Sequence, residues 1–127
     1  LKDYTTICDS APSEILGIIA LQNNETIIAA HRSRLLKNLA VLDSFFTDFN
    51  DCLSWNRPRG GSNSFPRLLV SCKSDELCRD LIEETGIMLV PSTMFDYGWS
   101  HVRFGYGREN LPEVLELFSR YLINRFR

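Results

Sequence analysis

Arg103 stands in the run His101-Val102-Arg103-Phe104-Gly105-Tyr106, which alternates strictly between apolar and polar or small residues. In a strand, that period of two puts Val102, Phe104 and Tyr106 on one face and His101, Arg103 and Gly105 on the other. An arginine mounted there can grip a carboxylate through two parallel hydrogen bonds, a geometry lysine cannot reproduce. Gly105 and Gly107 leave the neighbouring backbone open to close approach. The same alternation equally fits a solvated arginine on a strand's outer face. His101 flanks the site and could support it.

Other residues offer weaker chemistry. The loop Arg57-Pro58-Arg59-Gly60-Gly61-Ser62-Asn63 is basic and glycine-rich, but lacks the spacing of a phosphate-binding loop. A surface loop is its simpler reading. Ser62 and Ser64 have no base or acid nearby in sequence, so a serine triad has no support. His31 lies among basic residues in a helical stretch and reads as solvated or core. Met88 and Met94 read as core filling. The cysteines Cys8, Cys52, Cys72 and Cys78 form no Cys-x-x-Cys pair, and His31 and His101 are the only histidines, so no metal site is expected. Reduced thiols in a cytoplasmic protein are the simpler expectation.

The elements that would position Arg103 follow from periodicity. Ser10, Pro12 and Glu14 suit a helix start, and the apolar run at 15–21 then makes a short helix greasy on most sides. Such a helix is expected to lie against another domain or a partner subunit. A longer helix is predicted over 25–50, with Ile28, Leu35, Leu39, Leu42, Phe46 and Phe49 on one face, on the order of 40 Å long at 1.5 Å per residue. Residues 56–64 read as a loop, and 67–72 as a buried strand. Ser74-Asp75-Glu76 starts a helix through Leu77, Cys78, Leu81 and Ile82 that Gly86 ends. A strand at 87–90 stops at Pro91, and the Arg103 strand follows. Asn110 and Glu113 have capping-box spacing at the start of a last helix burying Val114, Leu115, Phe118 and Leu122. Three strands with helices on one face make an α+β layer.

Composition narrows the partners. The chain has 127 residues, 44% of them hydrophobic and 24% charged, with a net charge of -2, as expected for one globular domain. Without an excess of Lys and Arg, no nucleic-acid surface is expected. The run at 15–21 falls far short of the roughly 20 residues that span a bilayer, so no membrane partner is expected. No signal peptide is in view at Leu1-Lys2-Asp3-Tyr4, and without an initiator Met the chain reads as a fragment or a processed product.

These pieces, in their order, resemble the end of the class I/II, fold-type-I aminotransferases that depend on pyridoxal phosphate. The resemblance rests on Gly86-Ile87-Met88-Leu89-Val90-Pro91, Phe95 and His101-Val102-Arg103-Phe104-Gly105-Tyr106-Gly107. Upstream, Lys2-Asp3-Tyr4-Thr5-Thr6 and Ser10-Ala11-Pro12-Ser13-Glu14 resemble the segment after the family's lysine-bearing loop. Arg59-Gly60-Gly61 before Phe65-Pro66 resembles a turn bordering the substrate pocket. Pro91-Ser92-Thr93 departs from the family's proline-glycine. The resemblance implies residues 1–24 as a connecting segment and short helix from the large-domain side, and 25–127 as the C-terminal small domain. It implies a small, mainly antiparallel three-stranded sheet behind a long bridging helix.

It further implies that Arg103 binds the substrate α-carboxylate, with Gly60 and Gly61 in a pocket loop. The cofactor's main ligands and the catalytic residues would lie outside the chain, which would be inactive alone. Implied partners are amino acids and 2-oxo acids, in a cytoplasmic homodimer. Related fold-type-I decarboxylases, synthases or lyases, the effector domain of a transcription regulator, and a free-standing amino-acid sensor are alternatives.

Overall fold

The computed structural model describes residues 10–127, so Cys8 and the Lys2-Asp3-Tyr4-Thr5-Thr6 segment lie outside the described residues. The chain divides into two compact units between Ser33 and Arg34. The first helix, α1 (Ala11–Gln22), carries proline in its first turn as expected, although the Ser10 hydroxyl makes no capping bond. Its apolar side chains Ile15, Leu16, Ile18, Ile19 and Leu21 are 50–71% exposed. Two amides end it: Asn23 Nδ2 donates to the Ile19 carbonyl and Asn24 Nδ2 to the Leu21 carbonyl, at 2.8 and 2.7 Å. These satisfy carbonyls that a helix end leaves without partners. Helix α2 (Asn24–Asp48) begins immediately and runs through the division between the units.

The second unit, residues 34–127, holds the remaining elements: β1 (Leu53–Ser54), β2 (Asn63–Ser64), β3 (Arg67–Leu68), α3 (Ser74–Thr85), β4 (Val90–Pro91), β5 (Val102–Gly105) and α4 (Leu111–Phe126). Strands β2, β5 and β4 form an antiparallel three-stranded sheet with β5 in the middle, and β1 pairs antiparallel with β3. An Arg67–His101 bridge and the Val102 N–H···O=C Pro66 bond of 3.1 Å link the two ladders. Pro66 lacks an N–H and separates β2 from β3. The α+β class is as expected; the strand inventory is not. Pairing begins at Asn63, inside the predicted loop, and β1 was not foreseen. The predicted strand at 67–72 shrinks to Arg67–Leu68, and of 87–90 only Val90 is paired, together with Pro91, which had been expected to end the strand.

The core lies between the sheet and α2, α3 and α4. Leu42, Phe45, Phe46, Leu77, Leu81, Phe118 and Leu122 are buried against Leu53, Val102, Phe104 and Tyr106. Phe104 sits 6.1 Å from the Phe46 ring and 6.3 Å from the Phe118 ring. Several expectations about this core need correction. Ile28 and Ile82 are exposed, and Leu35 and Val114 are only partly buried, while Phe45 and Tyr121 join the core unforeseen. Met88 and Met94 are 75% and 73% exposed, so they are surface residues and not core filling. Asn110 makes no side-chain cap, and the cap of α3 is Lys73, whose N–H donates to Glu76 Oε2 at 3.4 Å. Gly86 does end α3 in the left-handed conformation, φ 73°. Cys52, Cys72 and Cys78 are free and buried, and burial pushes the Cys78 thiol up to about 12.

One buried polar residue in the helical stripe went unrecognised. Asn38 lies among the core residues of α2 and donates both amide hydrogens, at 2.8 Å each, to the carbonyls of Tyr106 and Arg108. It fastens the chain just beyond β5 to the helix behind it. Asn38→Ala should cost about 1–3 kcal/mol, because the buried Tyr106 carbonyl loses a donor that water does not replace; urea unfolding checks this.

The C-terminal end closes on Arg127, which donates twice to the Asp51 carboxylate, at 2.7 and 3.0 Å, and stacks 4.6 Å from the Phe49 ring. The hydrogen bond from Arg127, aided by its charge, holds Asp51 at about 2 against an ordinary 3.8. A depressed carboxylate stabilises the fold above its unfolded value and loses that contribution as pH falls through its folded value. The stability difference between wild type and Arg127→Ala should therefore be steady near neutrality and close between about pH 4 and pH 2. Denaturant midpoints measured across that range test it.

Candidate functional site

Arg103 lies at the centre of β5, and the burial alternation is the predicted one: Val102 and Phe104 buried, Arg103 and Gly105 exposed. The register sets its neighbours. Val90 of β4 is its direct partner. On the other side Asn63 pairs with Gly105 and Ser64 with Phe104, so continuing the register brings Phe65 opposite Arg103. Paired residues of an antiparallel sheet share a face, so Arg103, Val90, Phe65 and Asn63 stand together on the outer side. The rigidity comes from the strand: both edges of β5 are paired, and its inner side chains are locked in the core.

The guanidinium has no hydrogen bond or ion pair with any other described residue. Its one described partner is an aromatic face: Arg103 Cζ lies 5.6 Å from the centroid of Phe95. Four arginines of the second unit are paired, Arg34 to Glu109, Arg57 to Asp43, Arg125 to Asp80 and Arg127 to Asp51, whereas Arg103, like Arg59, Arg67, Arg79, Arg108 and Arg120, has no described ion pair. Arg103 also lines a cleft of about 600 Å³, together with Asn63, Gly105, Arg108, the segment 85–90 and the first turns of α4. That volume suits a small-molecule site. No Asp or Glu lines it, two arginines do, and Met88, Val90, Leu111, Val114 and Leu117 supply an apolar wall. Such a lining favours an anion with an apolar portion.

Gly60 and Gly61 are exposed and do not line this cleft. The β2–β5 register places Gly61 beside Gly107, four positions beyond Arg103, on the order of 13 Å away along the strand. The loop is nonetheless tied to β5. Tyr106 donates its hydroxyl to the Gly61 carbonyl at 2.9 Å and its N–H to the Ser62 carbonyl at 2.8 Å. Gly61 has φ 79°, a left-handed conformation that side chains disfavour.

His101 stacks on Phe65, centroids 5.2 Å apart and planes at 12°. Burial, with the Arg67 charge adding to it, lowers its imidazole from the ordinary value, which favours the uncharged ring. It adds packing beside Arg103. The segment after Pro91, where the sequence departs from proline-glycine, forms a 3-10 turn (Ser92–Phe95) around fully buried Ser92. Ser92 Oγ donates to the Gly98 carbonyl at 3.1 Å and accepts the His101 N–H at 3.2 Å. Ser92, Phe95 and Arg108 thus belong to the site region without having been singled out for it. Phe95 enters the sequence reading only through the resemblance. A small polar residue directly after the strand-ending Pro91 was the available signal for Ser92. Among the described residues no cluster of His, Cys, Asp and Glu could hold a metal ion, and no helix is long and apolar enough to cross a membrane.

With this geometry the chain matches solved pyridoxal-phosphate-dependent enzymes. A PLP-dependent aminotransferase from Streptococcus suis 89-1591 superposes with a TM-score of 0.88 at 30% identity, over 99% of this chain and 34% of that one. The PLP-dependent cyclase OrfR gives 0.87 at 26% identity, over 98% and 35%. In sequence, capreomycidine synthase from Streptomyces vinaceus is 23% identical over 124 residues, 96% of this chain and 32% of the synthase. No family model matches. The chain carries the fold of the PLP-dependent aminotransferases, as the resemblance to their fold-type-I small domain implied. It spans about a third of the length of these relatives.

Because Gly61 holds a left-handed turn with nothing crowding its Cβ position, Gly61→Ala should cost about 1 kcal/mol through backbone strain alone. Tyr106→Phe should cost a similar amount by deleting the bond to the Gly61 carbonyl. Thermal melts of each variant check these two values.

Proposed function

We propose that residues 25–127 act as the C-terminal small domain of a PLP-dependent aminotransferase, with 1–24 leading in from its large domain. The enzyme transfers an amino group from an amino acid to a 2-oxo acid and works as a cytoplasmic homodimer. Arg103 takes the substrate α-carboxylate, and the loop with Gly60 and Gly61 borders the pocket farther along. The observation that carries this reading is the Arg103 guanidinium itself, fixed on a central strand with no described anionic partner. The acid-free lining of its cleft supports it.

The described residues do not fit the cofactor by themselves. Lys37 is exposed on α2, Lys73 caps α3, and neither lines the cleft, so a lysine to hold the cofactor and the ligands for its phosphate belong to other parts of the enzyme. Pyridoxal phosphate, when bound, supplies the electron sink for chemistry at the amino acid's α-carbon. What this chain contributes is orientation. A strand-mounted guanidinium that holds both carboxylate oxygens leaves the substrate little rotation, which fixes where its α-hydrogen points. The chain alone is inactive on this reading.

A second reading keeps the cofactor and the clamp but changes the reaction. Two of the relatives are named as a cyclase and a synthase, which favours ring formation or another transformation of the bound amino acid over amino transfer. Assay of the full-length, PLP-loaded protein separates the two. Amino transfer consumes a 2-oxo acid and releases one new amino acid per donor used, whereas a cyclase or synthase turns over without a 2-oxo acid. In either case Arg103→Ala should lower kcat/KM for amino-acid substrates about tenfold to a hundredfold while leaving PLP affinity near wild type. Equal kcat/KM in the variant and wild type would remove Arg103 from the site.

A further inference from the structure

We infer that Phe95 is a positioning residue for Arg103, and that Phe65, His101 and Tyr97 hold Phe95 in place. This rests on the reading of Arg103 as a carboxylate clamp. A guanidinium can be fixed by acceptors around its edge or by a surface against its face. Edge bonds use the same N–H donors that a bidentate carboxylate needs; an aromatic ring beneath the plane uses none of them. Arg103 Cζ lies over the Phe95 ring, 5.6 Å from its centroid and within cation–π range, with no described acceptor on its donors.

The ring is itself constrained. Phe95 meets Phe65 edge to face, centroids 6.0 Å apart; Phe65 meets Tyr97 at 5.5 Å and lies parallel to His101 at 5.2 Å; Tyr97 closes the group on His101 at 5.1 Å. Two of these rings are placed by strand register, since Phe65 follows β2 and His101 precedes β5. The other two are placed by the turn around Ser92: the Asp96 N–H donates to the Thr93 carbonyl and the Tyr97 N–H to the Ser92 carbonyl, both at 3.2 Å. Between them Asp96 takes a left-handed conformation, φ 52°, which a non-glycine residue adopts at some cost. Phe95, Phe65 and Tyr97 are 47%, 39% and 58% exposed, so core packing alone does not account for the cluster.

The test uses the full-length, PLP-loaded protein and butanoate, a monocarboxylate with no amino group to react, titrated by calorimetry. Phe95→Leu should bind butanoate about threefold to tenfold more weakly, and KM for an amino-acid donor should rise by the same factor with a smaller change in kcat. Phe95→Tyr, which restores an aromatic face, should bind within about twofold of wild type. Phe95→Met fills comparable volume without a ring and should behave as Phe95→Leu does, which separates the ring's face from its bulk. If Phe95→Leu and Phe95→Met bind like wild type while Arg103→Ala loses binding, Phe95 has no positioning role and the clamp stands. If Arg103→Ala also binds like wild type, the clamp and its platform fall together.

Discussion

The site depends on the packing of one short strand between two others and a helical layer. Val102, Phe104 and Tyr106 enter the core, where Phe104 lies beside Phe46 of α2 and Phe118 of α4. Because side chains alternate along a strand, committing these three inward commits Arg103 outward. A slip of one residue would bury a guanidinium among phenylalanines, at a cost no nearby carboxylate could offset. The register is therefore fixed by burial, and Arg103 inherits its direction from residues that never touch a ligand.

Polar groups finish what burial begins. Asn38 joins α2 to the carbonyls of Tyr106 and Arg108, so the chain leaving β5 cannot drift from the helix behind it. On the opposite edge Ser92 ties the turn after β4 to the entry of β5. The Tyr106 hydroxyl and N–H draw in the loop at Gly61 and Ser62. Each of these bonds is shielded or partly shielded, where a missing partner costs more than it would in water. Together they immobilise both ends of the strand while its middle faces an open cleft.

The electrostatics of the second unit follow the same division of labour. Arg34, Arg57, Arg125 and Arg127 are each paired with a carboxylate on a neighbouring element. Exposed pairs of this kind contribute little stability individually. Arg103 has no such carboxylate among the described residues, and it stands with Arg108 in a cleft that no acidic residue lines. Affinity for an anion arises from what was left out of the cleft as much as from what was put in.

Strict alternation at 101–106 was enough to orient Arg103, because a strand's period of two is a local property of the backbone. Glycine at 86 ended α3 for a similarly local reason, and the stripe at Leu39, Leu42 and Phe46 marked the buried face of α2. The order of motifs sufficed to suggest the family fold. Other features were decided only by long-range packing. Met88 and Met94 are apolar enough for a core, yet they stand on the surface because the core is filled by residues distant in sequence. Asn38 reads as an ordinary polar residue until Tyr106 and Arg108 arrive beside it, 68 and 70 positions later. Strands β1 and β2 carry almost no local pattern, since two paired residues are too few to show a period; their partners define them. The aromatic platform beside Arg103 likewise exists only when residues 65, 95, 97 and 101 converge, a matter of topology that no single stretch of sequence encodes.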